Sequence, residues 1–300
     1  MRYVFIVNPS AGKANPYHTV FPLIQEYCRT NNLDYVCHIT SRPLQATELA
    51  RKQGEKGDEV RIYGVGGDGT LSEVAAGVVG MSNVEVGVIP CGSGNDYVKT
   101  FGRMESFLSM EKQMAAKSQK VDMIQSEGNL SINLCSIGLD AKVAYEMVRF
   151  RRVPLLNGPM AYNLALVKVL MGKIGSQLKV TIDGTKEFEG EYLFALAGSG
   201  RYYGGGYCGA PMAVPDDGLL DFILIKKPPF HKIPQLVKIY KEGRHINSPK
   251  FQDFLIYCRG KEMCVSSFKP VIANYDGECR AIEQVSFKIV PNAVSFIIPE

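Results

Sequence analysis

Three loops of small residues, each placed straight after a strand-like run, constrain this chain more than any other feature. Arg2–Val7, Tyr35–Ile39, Val60–Tyr63 and Val84–Ile89 read as strands by their β-branched and aromatic content. Between them, Thr19–Arg29, Leu44–Gln53 and Leu71–Val79 carry apolar residues at helical spacing. Strands alternating with helices assemble as βαβ units on a parallel sheet. Ligands of such sheets bind at the carboxyl ends of the strands. The loops after the first, third and fourth strands lie at that edge. They read Asn8-Pro9-Ser10-Ala11-Gly12-Lys13, Gly64-Val65-Gly66-Gly67-Asp68-Gly69-Thr70 and Pro90-Cys91-Gly92-Ser93-Gly94-Asn95-Asp96.

Backbone amides in glycine-rich turns and at helix N-termini attract anions. Three such loops at one sheet edge therefore describe a cradle for a polyphosphate. Gly64–Gly69 also fits the GxGxxG of dinucleotide sites, which wants an acid about 20 residues on at a strand end. The nearest acid, Glu85, stands at the start of its strand, and the loop follows the third strand, not the first. Glycines serving only a tight turn would explain Gly66 and Gly69 but not the Asp and Thr held beside them. The first loop lacks the GxxxxGK[ST] spacing of a Walker A loop.

After Lys120 the pattern changes. Val121–Gln125, Ser131–Ser136, Leu178–Ile182, Tyr192–Ala197, Leu219–Ile225, Phe254–Cys258, Met263–Ser266, Val271–Asn274 and Val285–Val290 all read as strands. Asp183-Gly184 is a hairpin signal. Helical segments interrupt at Lys142–Arg149, Met160–Ile174 and Ile233–Tyr240. The chain of 300 residues thus divides into an α/β nucleotide-binding domain over 1–120 and a β-rich sandwich over 121–289. A last strand, Val294–Ile298 within 290–300, is free to return to the first domain.

A hydrophobic fraction of 46% with 21% charged residues excludes a disordered or fibrous chain. The net charge of +4 is no nucleic-acid signature, but it is unevenly spread. Lys142–Lys179 holds seven basic residues against Glu146, and Lys226–Lys250 seven against Glu242. These segments carry +12 together, so the rest of the chain carries −8. The second half can therefore meet an anionic surface. Phe150–Leu156 mixes cations with apolar residues as interfacial segments do, and Arg149, Arg151, Arg152 and Lys168 are candidate lipid contacts. Met160–Ile174 shows an apolar face through Leu164, Val167, Met171 and Ile174, whose expected place is the core. The eight cysteines form no CxxC pair and read as reduced thiols, and the four histidines do not join them at zinc spacing. The chain opens into a strand, not a signal peptide, and no run approaches ~18 apolar residues. A cytoplasmic location is expected.

The combination of Asn8-Pro9 with Gly12-Lys13, Gly66-Gly67-Asp68-Gly69-Thr70 and Gly92-Ser93-Gly94-Asn95-Asp96 resembles the bacterial diacylglycerol kinase-like lipid kinases, relatives of the sphingosine and ceramide kinases. Pro215-Asp216-Asp217-Gly218-Leu219-Leu220-Asp221 and Asp276-Gly277-Glu278 match the same family, so the resemblance spans essentially the whole chain. One departure is Gly92-Ser93, where the family usually reads Gly-Thr; a hydroxyl is kept.

The resemblance implies an NAD kinase/diacylglycerol kinase-like nucleotide-binding domain, a β-rich lipid domain and an active site in the cleft between them. It implies ATP held by Ser10, Ala11, Gly12, Lys13, Ala14, Thr40, Gly66, Gly67, Asp68, Gly69, Thr70, Leu71, Ser72, Ser93 and Asn95. By itself Asp276-Gly277-Glu278 reads as a hairpin turn; by resemblance Glu278 is the proton acceptor, with Asp68 beside the phosphates. Asp216-Asp217-Gly218 by itself is turn chemistry; by resemblance Asp217, helped by backbone oxygens of Val214 and Leu219, holds Mg²⁺. The implied partner is a membrane lipid, most simply diacylglycerol, met at the inner face of the membrane. Nucleic acid is not expected, and a homodimer is compatible with the sequence. NAD kinases share Gly-Gly-Asp-Gly-Thr but carry an Asn-Glu pair at the later loop, where this chain has Asn95-Asp96. Other lipid alcohols, such as phosphatidylglycerol or a sphingoid base, and a non-catalytic nucleotide or lipid sensor are the remaining readings.

Overall fold

The computed structural model describes residues 1–102, 104–150, 158–172 and 174–300, the side chains of 148, 149, 158 and 159 excepted. The predicted interfacial segment Phe150–Leu156 falls mostly outside these residues, as do Arg151, Arg152 and the side chain of Arg149. The chain forms two compact units, Met1–Asp122 with Asn292–Glu300, and Met123–Pro291.

The first unit runs β1 (Arg2–Val7), α1 (Pro16–Thr19), α2 (Phe21–Thr30), β2 (Tyr35–Ile39), α3 (Gln45–Gly54), β3 (Val60–Gly66), α4 (Asp68–Gly77), β4 (Val84–Pro90), α5 (Asp96–Lys99), α6 (Met104–Leu108) and α7 (Met110–Ala115). β5 (Lys117–Ser126) leads out of it. β2, β1, β3 and β4 pair in that order, all parallel, and Ser295–Phe296 near the C-terminus adds parallel to β4. β1 from Val4 onward and β3 apart from Arg61 are buried on both faces, which is why they read as largely apolar runs. Phe5 stacks on Tyr63 at 5.5 Å, with Ile24 of α2 and Ile297 closing the same core. The predicted helix Thr19–Arg29 is two helices meeting at Val20; Pro22, without an N–H to give, restarts the second within its first turn.

The second unit contains β6 (Asn129–Ser131), β7 (Leu134–Gly138), α8 (Leu139–Phe150), α9 (Gly158–Leu170), β8 (Ser176–Ile182), β9 (Lys186–Gly198) and the short pair β10 (Tyr202–Tyr203) and β11 (Tyr207–Cys208). There follow β12 (Leu220–Lys226), α10 (Ile233–Lys241), β13 (Leu255–Gly260), β14 (Glu262–Tyr275) and β15 (Glu278–Ile298). Antiparallel pairing runs β13-β12-β9-β7-β14-β15, with β8 joining β9 and β14. One core packs strand against strand through Ile137, Val180, Phe222, Val265 and Phe287. The other packs Leu196, Phe194 and Ile223 under α8, α9 and α10. Two pairs of predicted strands fuse. Met263–Ser266 and Val271–Asn274 are one strand whose register slips between Ser266 and Val271, around Pro270, which cannot donate to a ladder. Val285–Val290 and Val294–Ile298 both belong to β15.

The expectation for Met160–Ile174 needs correcting. The helix ends at Leu170, and Leu164, Val167 and Met171 are exposed, while Ala161, Tyr162 and Ala165 are buried. Only Ile174 of the predicted face is buried. α9 carries apolar residues on its outer side as well, next to the exposed Asn163 and Lys168, so apolar spacing alone could not tell its inner face from its outer one.

Candidate active site

The three small-residue loops are locked to one another. Gly66 ends β3, and a Cβ there would lie 2.3 Å from Thr70 Oγ1. Its missing side chain lets that hydroxyl fold back, where it accepts a hydrogen bond of 3.1 Å from Asn8 Nδ2. Asn8 Oδ1 in turn accepts from the Ser10 amide at 3.0 Å, shaping the first loop. Gly12 has φ +72°, and a Cβ would fall 2.2 Å from the Cys91 carbonyl oxygen, so it is barred from a side chain twice over. Gly67 and Gly92 meet backbone to backbone: a Cβ on Gly92 would stand 2.4 Å from Gly67 Cα. The Cys91 amide donates to the Gly66 carbonyl at 2.9 Å.

Asp68 opens α4, with Gly67 as its extended N-cap. Its Oδ1 accepts from the Tyr97 amide at 3.0 Å, joining the third-strand loop to α5. Asn95 sits in the left-handed region (φ +49°) and closes the fourth-strand loop through two 3.0 Å bonds with Gly92. Asp96 is buried and pairs with Lys99 at 2.5 Å.

Beside these loops lies a polar cavity of about 330 Å³. Ser10, Thr40 and Thr70 of the predicted nucleotide residues line it, with Asn8. Ser93, Lys13 and Ala14 are exposed on the loops. Leu71 points into the core, so it can offer a ligand only its backbone. Sequence reasoning missed Ser41, Arg42 and Glu73 in the same lining. Arg42 pairs with Glu48 at 2.6 Å, and Glu73 accepts from the Ala46 amide at 3.1 Å. These come from α4 and the loop after β2, which carries no glycine motif to advertise it.

In the second unit Asp276 (φ +48°) and Gly277 (φ +103°) form the two-residue turn between β14 and β15, and Glu278 begins β15 opposite Tyr275. The turn reading and the motif therefore coincide. Asp276 is structural: its carboxylate accepts from the amides of Ile132 at 2.7 Å, Leu134 at 2.9 Å and Asn133 at 3.3 Å. Glu278 is free of that task; its side chain is 56% exposed, 4.0 Å from Arg280. Asp217 accepts from the Leu219 amide at 3.1 Å and is ion-paired with Arg259, which also reaches the buried Asp221 at 3.4 Å. A carboxylate with main-chain carbonyls is the hard oxygen set that Mg²⁺ takes. Among the described residues no three His, Cys, Asp or Glu side chains converge on one point, so an ion at Asp217 would lean on the Val214 and Leu219 carbonyls and water, and share Asp217 with Arg259.

The second unit also holds a narrow apolar cavity of about 60 Å³ between α9, α10 and the sheet. Its main polar group is Asp140, fully buried, which accepts from Ser136 Oγ at 2.6 Å and Tyr162 Oη at 3.2 Å. Burial pushes this carboxyl above the usual range, against the opposing pull of those hydroxyls. Sequence reasoning missed it, since an acid in the first turn of a helix is ordinary.

Both halves match known families. The family model of the diacylglycerol kinase catalytic domain covers residues 2–126, and that of the YegS C-terminal NAD kinase beta sandwich-like domain covers 133–298. The chain belongs to the diacylglycerol kinase-like family of lipid kinases. Curated relatives named diacylglycerol kinase include one from Staphylococcus carnosus, 27% identical over 91% of this chain and 87% of its own. Another, from Bacillus subtilis, is 25% identical over 91% and 88%. A solved diacylglycerol kinase from Bacillus anthracis str. Sterne shares the fold at TM-score 0.69, with 20% identity over 100% of this chain and 97% of that one. An NAD kinase from Archaeoglobus fulgidus, solved with ATP, shares it more distantly at TM-score 0.54 and 14% identity, over 100% and 94%. The member described here is thus a phosphotransferase with an NAD kinase-like α/β domain and a β-sandwich domain.

Proposed function

We propose that this kinase uses ATP to phosphorylate the hydroxyl of a membrane lipid, with diacylglycerol as first acceptor and phosphatidic acid as product. The observation that carries the reading is the mutual locking of three small-residue loops beside a polar cavity at the carboxyl edge of a parallel sheet. Phosphoryl transfer asks for positioning and charge stabilisation more than covalent help. The loops supply close backbone approach through Gly12, Gly66, Gly67 and Gly92, and hydroxyls through Ser10, Thr70 and Ser93; Thr40, just after β2, adds another. Lys13, Ala11, Ala14, Gly69, Leu71, Ser72 and Asn95 complete the proposed nucleotide set, with Asp68 beside the phosphates. Glu278 is the proposed proton acceptor for the lipid hydroxyl, exposed and held, among the described residues, only by a 4.0 Å ion pair with Arg280. Mg²⁺, when bound at Asp217 with Val214 and Leu219, would supply positive charge to order that loop. The enzyme works at the inner face of the membrane.

The test is transfer of labelled phosphate from ATP to a panel of acceptors in mixed micelles: diacylglycerol, phosphatidylglycerol, a sphingoid base and NAD. Phosphatidic acid formed by the wild type and lost in Glu278→Ala is expected. Turnover on NAD alone, or on no acceptor, overturns the proposal.

A further inference from the structure

α9 shows apolar residues to both sides. Inward, Tyr162, Leu166 and Leu170 wall the narrow cavity. Outward, Leu164 and Val167, with Met171 in the turn that closes the helix, stand at the i, i+3, i+7 spacing of one stripe and are 43%, 56% and 84% exposed. Phe230, just before α10, is 65% exposed and stands in sequence between Pro228 and Ile233, which line the cavity. Exposed large apolar side chains scattered singly need no explanation, but a stripe of them on one helix does.

The charge around this stripe says what covers it. The stretch from Lys226 to Lys250 carries seven basic residues against one acid. α10 shares the cavity with α9 and exposes Lys238 and Lys241. Lys241 Nζ lies 5.3 Å from the ring of Tyr207, whose hydroxyl donates to Asn163 of α9 at 3.2 Å. Lys241 therefore lies close to the helix that carries the apolar stripe. An apolar stripe with exposed lysines on the neighbouring helix fits an anionic bilayer, not a second copy of this equally basic unit.

We infer that the outer stripe of α9, with Phe230, enters the interface of an anionic bilayer while the α10 lysines meet headgroup phosphates. This rests on the lipid-kinase reading only for its purpose: α9 becomes the wall between the acyl region of the bilayer and the cavity beneath it.

The chain has no tryptophan, so Met171→Trp gives a single reporter. Vesicles of phosphatidylcholine with phosphatidylglycerol, free of ATP and diacylglycerol, test docking apart from catalysis. The expected result is a blue-shifted indole emission from this variant, quenched by bromine-labelled acyl chains, with binding that weakens as salt rises. Val167→Glu/Met171→Glu, two exposed positions, should keep the wild-type melting curve and lose about tenfold or more in vesicle affinity. Unshifted emission on vesicles that pellet the protein would mean a different face docks, and absence of pelleting would mean none does. An indole emission already blue-shifted without vesicles, with a dimer mass, would assign the stripe to a second copy. Each of these overturns the inference. Loss of lipid phosphorylation with docking intact would count against the kinase reading alone.

Discussion

Asn8 and Thr70, 62 residues apart, are joined side chain to side chain at 3.1 Å, and the bond fastens the loop after β1 to the start of α4. It can form because Gly66 leaves room for the Thr70 hydroxyl. Asn8→Ala removes the tie and the acceptor of the Ser10 amide together. A partly buried hydrogen bond contributes about 0.5–1.5 kcal/mol. The KM for ATP is expected to rise roughly fivefold, with a smaller effect on kcat. Steady-state kinetics at saturating acceptor measure this, and an unchanged KM would remove Asn8 from nucleotide binding.

Gly92 and Gly69 offer a contrast within one site. A Cβ at Gly92 meets Gly67 Cα at 2.4 Å, backbone that cannot swing aside, whereas a Cβ at Gly69 meets nothing within 4 Å. Gly92→Ala is expected to lower stability by about 1–3 kcal/mol. Gly69→Ala, in the first turn of a helix, should leave the melting temperature unchanged or raise it slightly. Thermal melts of the apo proteins compare them directly. Equal melting points would show that the loops move apart freely.

Much of this site is legible in the sequence because its determinants are local. A β-branched run announces a buried parallel strand, and Gly66, Gly67 and Gly92 announce a close backbone approach before any partner is known. What the sequence hides depends on distant neighbours. Arg42 and Glu73 border the polar cavity only because β1, β2 and α4 converge. Asp140 looks like any acid in a first helical turn until the tyrosines from β10 and α9 close over it. The inner face of α9 escapes sequence reasoning because a helix with apolar residues on both sides shows no single stripe to read, and the break at Pro270 makes one strand read as two.

Asp276 and Glu278 stand two residues apart and should behave oppositely. Asp276 caps three amides around the start of β7, those of Ile132, Asn133 and Leu134. Asp276→Ala leaves these donors without their acceptor, at about 1–3 kcal/mol for a buried group. Its melting temperature should fall. Glu278 is largely exposed, so Glu278→Ala should melt as the wild type while turnover drops by about 10²–10⁴, as for loss of a general base. Melting curves and single-turnover rates separate the two. A Glu278→Ala enzyme with near wild-type turnover would end its assignment as proton acceptor.

His245 gives the fold a dependence on acid. It is fully buried between Tyr240 and Phe251, with Nε2 3.1 Å from the Gly209 carbonyl. Burial lowers its pKa from 6.5 to about 4, against the pull of nearby carbonyls. The unfolded chain therefore binds a proton before the folded one does. The resulting stability is complete above pH 6.5 and is lost as the pH falls toward 4. Fully titrated, the loss is ~3 kcal/mol. His245→Phe keeps an aromatic ring in the cluster and removes the proton. It should be less stable than wild type at neutral pH, because the Gly209 carbonyl loses its partner, yet show a flatter dependence between pH 6.5 and 4. Urea unfolding across that range measures both slopes, and equal slopes would assign the acid sensitivity to other groups.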